Sequence, residues 1–367
     1  MSRHNKNRNR VKARNISAAA QNKMNFTQRG ISENKQLCYE SVNNSCYKGI
    51  YSVHAPVIIY SVMWTTIVVT VCGNLLVIIS ISHFKQLHTP TNFLVLSLAV
   101  IDLLLGGFVM PPIMARIAET CWYFGELFCK VHLSSAVMFS TASIIHLSLI
   151  SIDRYFAVCH PLRYKTMINA FLTVSLILIS WILSAILGFI ILFLELNLKG
   201  LDEEYIQKIK CVGSCFLVQN EISGLLSSLF SFYIPGFVMI CIYMKIFSVA
   251  RRQARSIRDT AHQTTEEKRS AASSKRERKA TKTLAIVLGV FLICWLPFFL
   301  CNVISPLVNH MIPSVLIEFF TWIGYMNSTF NPLIYGFFYS WFRKALKLIA
   351  FGKIFQSDSS RTKLFTD

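Results

Sequence analysis

Two acids and one base stand out because their surroundings are apolar. Asp102 lies in the middle of an apolar run over 91–114, and Asp153-Arg154-Tyr155 closes another over 127–158. A lone carboxylate deep in hydrocarbon costs about 3 kcal/mol or more, so it needs a partner. Polar residues at compatible depth in other runs are Asn74, Ser143, Asn327, Ser328 and Asn331. A carboxylate ringed by hydroxyls and amides suits a small hard cation such as sodium. The same groups can instead form a hydrogen-bonded network that only joins helices. Arg154 keeps its proton and needs an anion or water at the membrane edge. Asp153 is its neighbour, and Glu277, at the start of the sixth run, is a second candidate. A pair broken when that run moves would be a two-state switch; a static surface pair would contribute about 0–1 kcal/mol.

Enzymatic chemistry finds little support. No P-loop, HExxH, GxSxG or glycine-rich dinucleotide turn occurs in a suitable context, and the histidines are scattered. His146, inside the third run, reads as a packed, hydrogen-bonded residue. A transporter would predict an internal repeat and paired broken helices with midplane charges. The chain has one midplane acid and no repeat.

Composition places these residues in a membrane. Of 367 residues, 53% are hydrophobic and only 15% charged, against about a quarter charged in soluble domains. The net charge of +19 could address nucleic acid. Here, however, Lys and Arg sit between long apolar runs, which is the pattern of membrane topology, so no nucleic-acid partner is expected. Runs at about 57–81, 91–114, 127–158, 171–194, 223–249, 280–305 and 313–338 are each long enough to cross hydrocarbon. The expected fold is therefore all-α, a seven-helix membrane bundle over 55–338. The third helix, over 139–160, is the buried element around which the other six pack.

Charge sets the expected orientation. The links after runs one, three and five, and the tail, carry most of the Lys and Arg, whereas the link over 306–312 carries none. The head is thus expected outside and the tail inside a plasma membrane. Residues 1–54 would form a glycosylated outer head, with N-x-S/T sites at Asn15, Asn25 and Asn43. Residues 1–23, with seven Lys or Arg and no acid, read as an upstream extension of the gene model. After the seventh run, 339–351 has Phe342, Leu346 and Ile349 on one face and basic residues around them. It reads as an amphipathic helix on the inner leaflet, with Gly352 as its C-cap. Residues 357–367 read as disordered.

Prolines interrupt four runs, at Pro111-Pro112, Pro235, Pro297 and Pro332, each inviting a kink. Trp295, Phe298 and Phe299 cluster at one of them, where a rotating helix would be levered. Six cysteines (Cys38, Cys46, Cys121, Cys129, Cys211, Cys215) fall in outer segments, where disulfides persist. A bridge from Cys129 to Cys211 or Cys215 would pin the long outer link over the bundle mouth; Cys38 or Cys46 could take the other. Spacing alone does not settle the pairing.

All seven runs resemble a rhodopsin-like (class A) G-protein-coupled receptor. The resemblance rests on Gly73-Asn74, the 98–102 segment, Asp153-Arg154-Tyr155, Trp181, Cys294-Trp295-Leu296-Pro297 and Asn331-Pro332-Leu333-Ile334-Tyr335. Within that family the stretches 83–93, 121–125 and 327–342 are similar to trace amine-associated receptors. The resemblance implies that Arg154, with Tyr243 and Tyr335, engages a heterotrimeric G protein, and that Ile144, Pro235 and Phe291 connect pocket to inner face. It implies a sodium pocket at Asp102, Asn74, Ser143, Asn327, Ser328 and Asn331, and disulfides Cys129–Cys215 and Cys46–Cys211. It further implies a stimulatory G protein, rising cAMP and expression in olfactory neurons.

One departure concerns the ligand. Amine receptors of this kind place an Asp seven residues after the third-helix cysteine; counting from Cys129 gives Ala136. Some members place an acid in the fifth helix, where this chain has Ser227, Ser228 and Ser231. The nearest acids, Glu221 and Glu318, are expected nearer the rim. Ser140, Trp295, Phe298, Phe299, Trp322 and Tyr325 complete the expected pocket, where cation–π contact could partly replace the acid. The expected small-molecule ligand is an atypical amine or a non-amine odorant.

Overall fold

The computed structural model describes residues 36–49, 54–260, 266–308, 311–356 and 358–364, without side chains at 165, 208, 209, 250, 253–260 and 266–285. Asn15, Asn25 and the 1–23 extension lie outside these residues. Ten helices carry the description. They are α1 (Ala55–His83), α2 (Pro90–Glu119), α3 (Glu126–Cys159), α4 (Pro161–Met167), α5 (Ala170–Phe193) and α6 (Glu203–Ile209). Then follow α7 (Glu221–Ser228 continuing through Ile234–Thr260), α8 (Glu266–Leu307), α9 (Ser314–Phe338) and α10 (Ser340–Ala350). Among the described residues the only extended pairing is two isolated bridges, Leu37 with Tyr47 and Ser45 with Val212.

Helices α1, α2, α3, α5, α7 and the 286–307 part of α8 are long and apolar enough to cross a membrane. Helix α9 has the length, but Glu318, Asn327, Ser328, Thr329 and Asn331 dilute its apolar character. Those polar residues from Asn327 onward are buried, so the helix hides them in the bundle and shows Val315, Phe319, Leu333 and Phe337 outward. Together these seven elements form the expected bundle. Hydrocarbon rather than water suits its outer face, where Phe171, Leu178, Ile182, Phe237 and Met244 stand exposed.

Helix α3 is the hub. Its most apolar stretch is 67% buried, against 17% for α5. Close approach of neighbours depends on small residues. A Cβ on Gly188 of α5 would sit 2.6 Å from the Ser134 carbonyl oxygen of α3, and one on Gly73 would meet Pro332 at 2.7 Å. Gly188→Ala is therefore expected to push α5 off α3 and cost about 1–3 kcal/mol. Gly107→Ala, which meets nothing within 4 Å, should be near neutral. Thermal midpoints of the two purified variants measure the difference.

Two proline sites are relieved by π turns rather than simple kinks. Leu105–Val109 precedes Pro111-Pro112, and Leu229–Tyr233 precedes Pro235. Proline lacks the N–H that an α-turn requires, and widening the preceding turn reroutes the hydrogen bonds. Pro297 and Pro332 stay inside continuous helices.

Helix α10 buries Trp341, Phe342 and Ala345. It ends as expected at Gly352, whose φ of 65° closes the helix with its N–H on the Ile349 carbonyl. The tail departs from expectation. Ser359–Arg361 form a short 3-10 turn, and the Ser359 hydroxyl pairs with His83 at 3.0 Å. The Leu364 N–H donates to Gln86 Oε1 at 2.8 Å, while its side chain packs in one cluster with Phe84 and Leu87. One buried leucine and these polar contacts fold 358–364 back against the loop after α1.

Candidate functional site

At the end of the bundle that carries the disulfides, three bridges tie the loops together. Cys129–Cys215 joins α3 to the segment over 210–220, and Cys46–Cys211 ties the same segment to the head. The third, Cys38–Cys121, fastens the head to the turn after α2. The first two match the expected pairs. The third was missed, although an even set of six outer cysteines left only Cys38 and Cys121 once the others were paired. Cys129 and Cys215 pack under Trp122, whose Nε1 donates to the Gly125 carbonyl at 2.8 Å.

Below this roof lies a cavity of about 700 Å³, within the usual range for small-molecule sites. Of the residues named for the pocket, Ala136, Ser140, Ser227, Ser231, Trp295, Phe298, Phe299 and Tyr325 line it. Two expected residues do not. Ser228 turns toward α8 and pairs with Asn302 Nδ2 at 2.8 Å. Trp322 is buried outside the lining, and its Nε1 has no hydrogen-bond partner among the described residues. Ala136 is 5% exposed. Phe232 stacks on Phe299 at 4.6 Å and Trp295 meets Phe298 edge-on at 6.0 Å, making an aromatic floor.

Arg116, the basic half of the charged lining, was not foreseen. Arg116 extends from the last turns of α2, beyond the end at Met114 read from hydropathy. Its Nη1 donates to the Cys215 carbonyl at 2.7 Å, and its guanidinium lies 4.5 Å from the centre of the Phe216 ring. Glu318 of α9 faces it at 3.4 Å, and both side chains are largely buried. Expected as a rim acid, Glu318 instead lines the cavity. Glu221 is exposed at the start of α7 and takes no part in the lining. His132, Gln219 and Asn302 also line the cavity.

Midway down, Asp102 is fully buried and accepts hydrogen bonds from three side chains. Ser328 Oγ donates at 2.6 Å, Asn331 Nδ2 at 2.7 Å and Ser143 Oγ at 3.3 Å. Asn74 joins from α1, its Nδ2 donating to the Ser328 carbonyl at 3.1 Å. Three of the five expected partners, from α3 and α9, thus meet on the carboxylate; Asn74 of α1 reaches it only through Ser328, and no bond from Asn327 to it occurs among the described residues. No cationic side chain among the described residues pairs with it, and buried Asn327 Nδ2 has no partner. An uncompensated carboxylate among hydroxyl oxygens is a donor set that fits a sodium ion. His146 meets the simpler expectation: Nδ1 pairs with the Ala142 carbonyl and Nε2 with Ser97.

Ile144 and Phe291 share the buried cluster that links cavity to the far end. Pro235 is half-buried, and its helix contributes Phe232, Met239, Tyr243 and Ile246 to that cluster. At that far end Asp153 is held from three sides. Thr91 Oγ1 and the Tyr164 hydroxyl each donate to it at 2.8 Å, as does Arg154 Nε. Arg154 also reaches Thr91 Oγ1. Burial, first of all, pushes the Tyr164 phenol above its usual range, so it remains a donor to Asp153. Glu277 lies on α8, but its side chain is outside the described residues. Tyr155 packs edge-on against Phe156 and His160. Tyr243 bonds Ser151 at 2.9 Å, and Tyr335 packs against Tyr339 and Phe342. Arg154, Tyr243 and Tyr335 therefore each have separate partners here, and the sequence did not disclose the clamp by Thr91 and Tyr164.

A seven-helix bundle with a roofed cavity at one end, a buried acid at mid-depth and an arginine clamp at the other is the plan of a membrane receptor. Residues 73–335 match the model of the 7 transmembrane receptor (rhodopsin family). Trace amine-associated receptor 1 of Macaca mulatta is 55% identical, with 90% of this chain and 98% of that protein covered. The Homo sapiens receptor of that name is 53% identical over the same shares, and trace amine-associated receptor 4 of Rattus norvegicus 48% identical over 93% and 99%. The chain belongs to the rhodopsin family of seven-transmembrane receptors and, within it, to the trace amine-associated receptors. It is a multi-pass membrane protein of a family of G-protein-coupled receptors, not of enzymes or transporters, and its class of partners is a small ligand and a G protein.

Proposed function

We propose that this receptor sits in the plasma membrane with its disulfide-bridged, glycosylated head outside. It detects an atypical amine or a non-amine odorant and raises cAMP through a stimulatory G protein. Three bridges at one end support that orientation, because disulfides persist outside the cell; Asn43 is exposed there. Sodium held by Asp102, Ser143, Asn327 and Asn331 would favour one arrangement of α3 and α9. The G protein would meet Arg154 once it leaves Asp153, with Tyr243 and Tyr335 turned toward it.

The observation that carries the ligand reading is Ala136. It lines the cavity where related amine receptors keep an acid, and Leu133, Val137, Ser140 and Thr141, which line the cavity beside it on α3, are uncharged. An ammonium ion placed there would be desolvated without a counter-charge. A second reading, ordinary amine detection through the rim acids Glu221 and Glu318, keeps support from Glu318 alone, since of the two it is the one that lines the cavity among the described residues. The test is cAMP in receptor-expressing cells challenged with simple primary monoamines and matched neutral analogues, on wild type and on Ala136→Asp. The variant should respond to monoamines at about tenfold lower concentration or better. Equal sensitivity of wild type and variant to monoamines would overturn the ligand reading.

A further inference from the structure

We propose that the Arg116–Glu318 pair anchors the ligand and selects a zwitterion, an α-amino acid or a close analogue, whose carboxylate meets Arg116 and whose ammonium meets Glu318. The proposal deepens the ligand reading above and rests on it. Among the described residues that line the cavity, these two are the fully charged ones. Their charges cancel. A ligand with a single positive charge would bind Glu318 beside the Arg116 guanidinium and leave the site with one uncompensated cation in a desolvated place. A simple carboxylate would leave one uncompensated anion. A zwitterion alternates with the pair and keeps the site neutral.

The geometry leaves both groups able to accept such a guest. Arg116 is oriented by the Cys215 carbonyl and the Phe216 ring, which occupies one of its five N–H donors. Its contact with Glu318, at 3.4 Å, is longer than the 2.7–2.9 Å or so of a charge-assisted hydrogen bond. Glu318 accepts no side-chain or backbone hydrogen bond from the described residues, so its carboxylate has bonding capacity to spare. Because the two charges lie close together, the ligand's charges must also be close, which an ammonium and a carboxylate on one carbon satisfy. The rest of the ligand then points to the Ala136, Trp295 and Phe299 floor, which suits an aromatic side chain.

Four probes share one phenyl group on a two-carbon chain and differ in the polar groups that end it: L-phenylalanine carries both charges, phenethylamine one positive, hydrocinnamate one negative and phenethyl alcohol none. Binding is read as thermal stabilisation of purified receptor, which needs no G protein, and signalling as cAMP. Wild type should be stabilised by L-phenylalanine at about tenfold lower concentration than by any of the other three. Arg116→Gln should shift the preference to phenethylamine, and Glu318→Gln to hydrocinnamate. Exchanging both charges, Arg116→Glu with Glu318→Arg, should restore the preference for L-phenylalanine, which a purely structural ion pair would not do. Wild type preferring phenethylamine, or singly substituted receptors that keep the wild-type order, would overturn the proposal. Stabilisation by L-phenylalanine without cAMP would uphold the zwitterion site and overturn stimulatory coupling instead. A cAMP response to neutral odorants with no charge-dependent binding would overturn the zwitterion site and leave the receptor reading standing.

Discussion

Removing the Cys129–Cys215 bridge, by Cys129→Ser with Cys215→Ser, is expected to abolish the ligand response and to lower stability by about 4–5 kcal/mol. The chain-entropy share follows from the loop the bridge closes. The cysteines are 86 residues apart, and constraining a loop of that size in the unfolded chain contributes about 4–5 kcal/mol. The Cys38–Cys121 bridge closes a loop of nearly the same size, 83 residues apart, and supplies the control. Chain entropy alone predicts equal losses from the two. Their surroundings differ. Cys129 and Cys215 pack under Trp122 at the top of α3, and the Cys215 carbonyl fixes Arg116 in the cavity. Cys38 is held beside Gly213 in the head, and the hydrogen bond from the Tyr39 hydroxyl to the Trp122 carbonyl at 3.3 Å remains when its bridge is gone. Loss of response should therefore be complete for the first pair and partial for the second at matched surface expression. Equal residual cAMP responses in the two variants would show that the roof over the cavity does not depend on Cys215.

Hydropathy disclosed six of the runs outright, because crossing hydrocarbon forces about twenty apolar residues into a segment, and the seventh was legible from its length and remaining apolar residues despite its polar ones. It also disclosed the Asp102 network, since a polar residue inside such a run is costly and its partners must lie at similar depth. Arg116 escaped for the same reason. Near a helix end an arginine reads as reaching the polar interface, and only three-dimensional packing shows it turning inward to Glu318. The π turns at Leu105–Val109 and Leu229–Tyr233 escaped because a proline marks a disturbance without specifying how the preceding backbone absorbs it. The Asp153 clamp escaped because Thr91 and Tyr164 belong to different elements, and ordinary hydroxyl residues at helix ends carry no signal of their own. The returning tail depended on one leucine, Leu364, too little apolar character to distinguish a docked segment from a solvated one.

At Asp102, two substitutions are expected to separate charge from hydrogen bonding. Asp102→Asn keeps the size and one acceptor but removes the charge, whereas Asp102→Leu removes every acceptor. With leucine, the Ser143, Ser328 and Asn331 donors face a fully buried apolar group, at about 1–3 kcal/mol for each one left unpaired. That loss, about 3 kcal/mol or more in sum, is large against a marginal folding stability of about 5–15 kcal/mol. Surface expression should fall sharply. With asparagine the fold should survive and the response to sodium should not. A cation that binds only the folded receptor stabilises it by about 2.7 kcal/mol at a hundred times its dissociation constant. Replacing choline by sodium at constant ionic strength should therefore raise the thermal midpoint of wild type and leave Asp102→Asn unchanged. Potassium serves as the second control, since its larger radius suits the same oxygens less well. If sodium, potassium and choline give one midpoint in wild type, the carboxylate serves only to join α2, α3 and α9. If sodium stabilises wild type and Asp102→Asn equally, the ion binds elsewhere. Sodium stabilisation confined to wild type would make Asp102 an ion-dependent latch between the cavity and the Arg154 clamp, because Ser143 and Asn331 sit on the helices, α3 and α9, that run from one to the other.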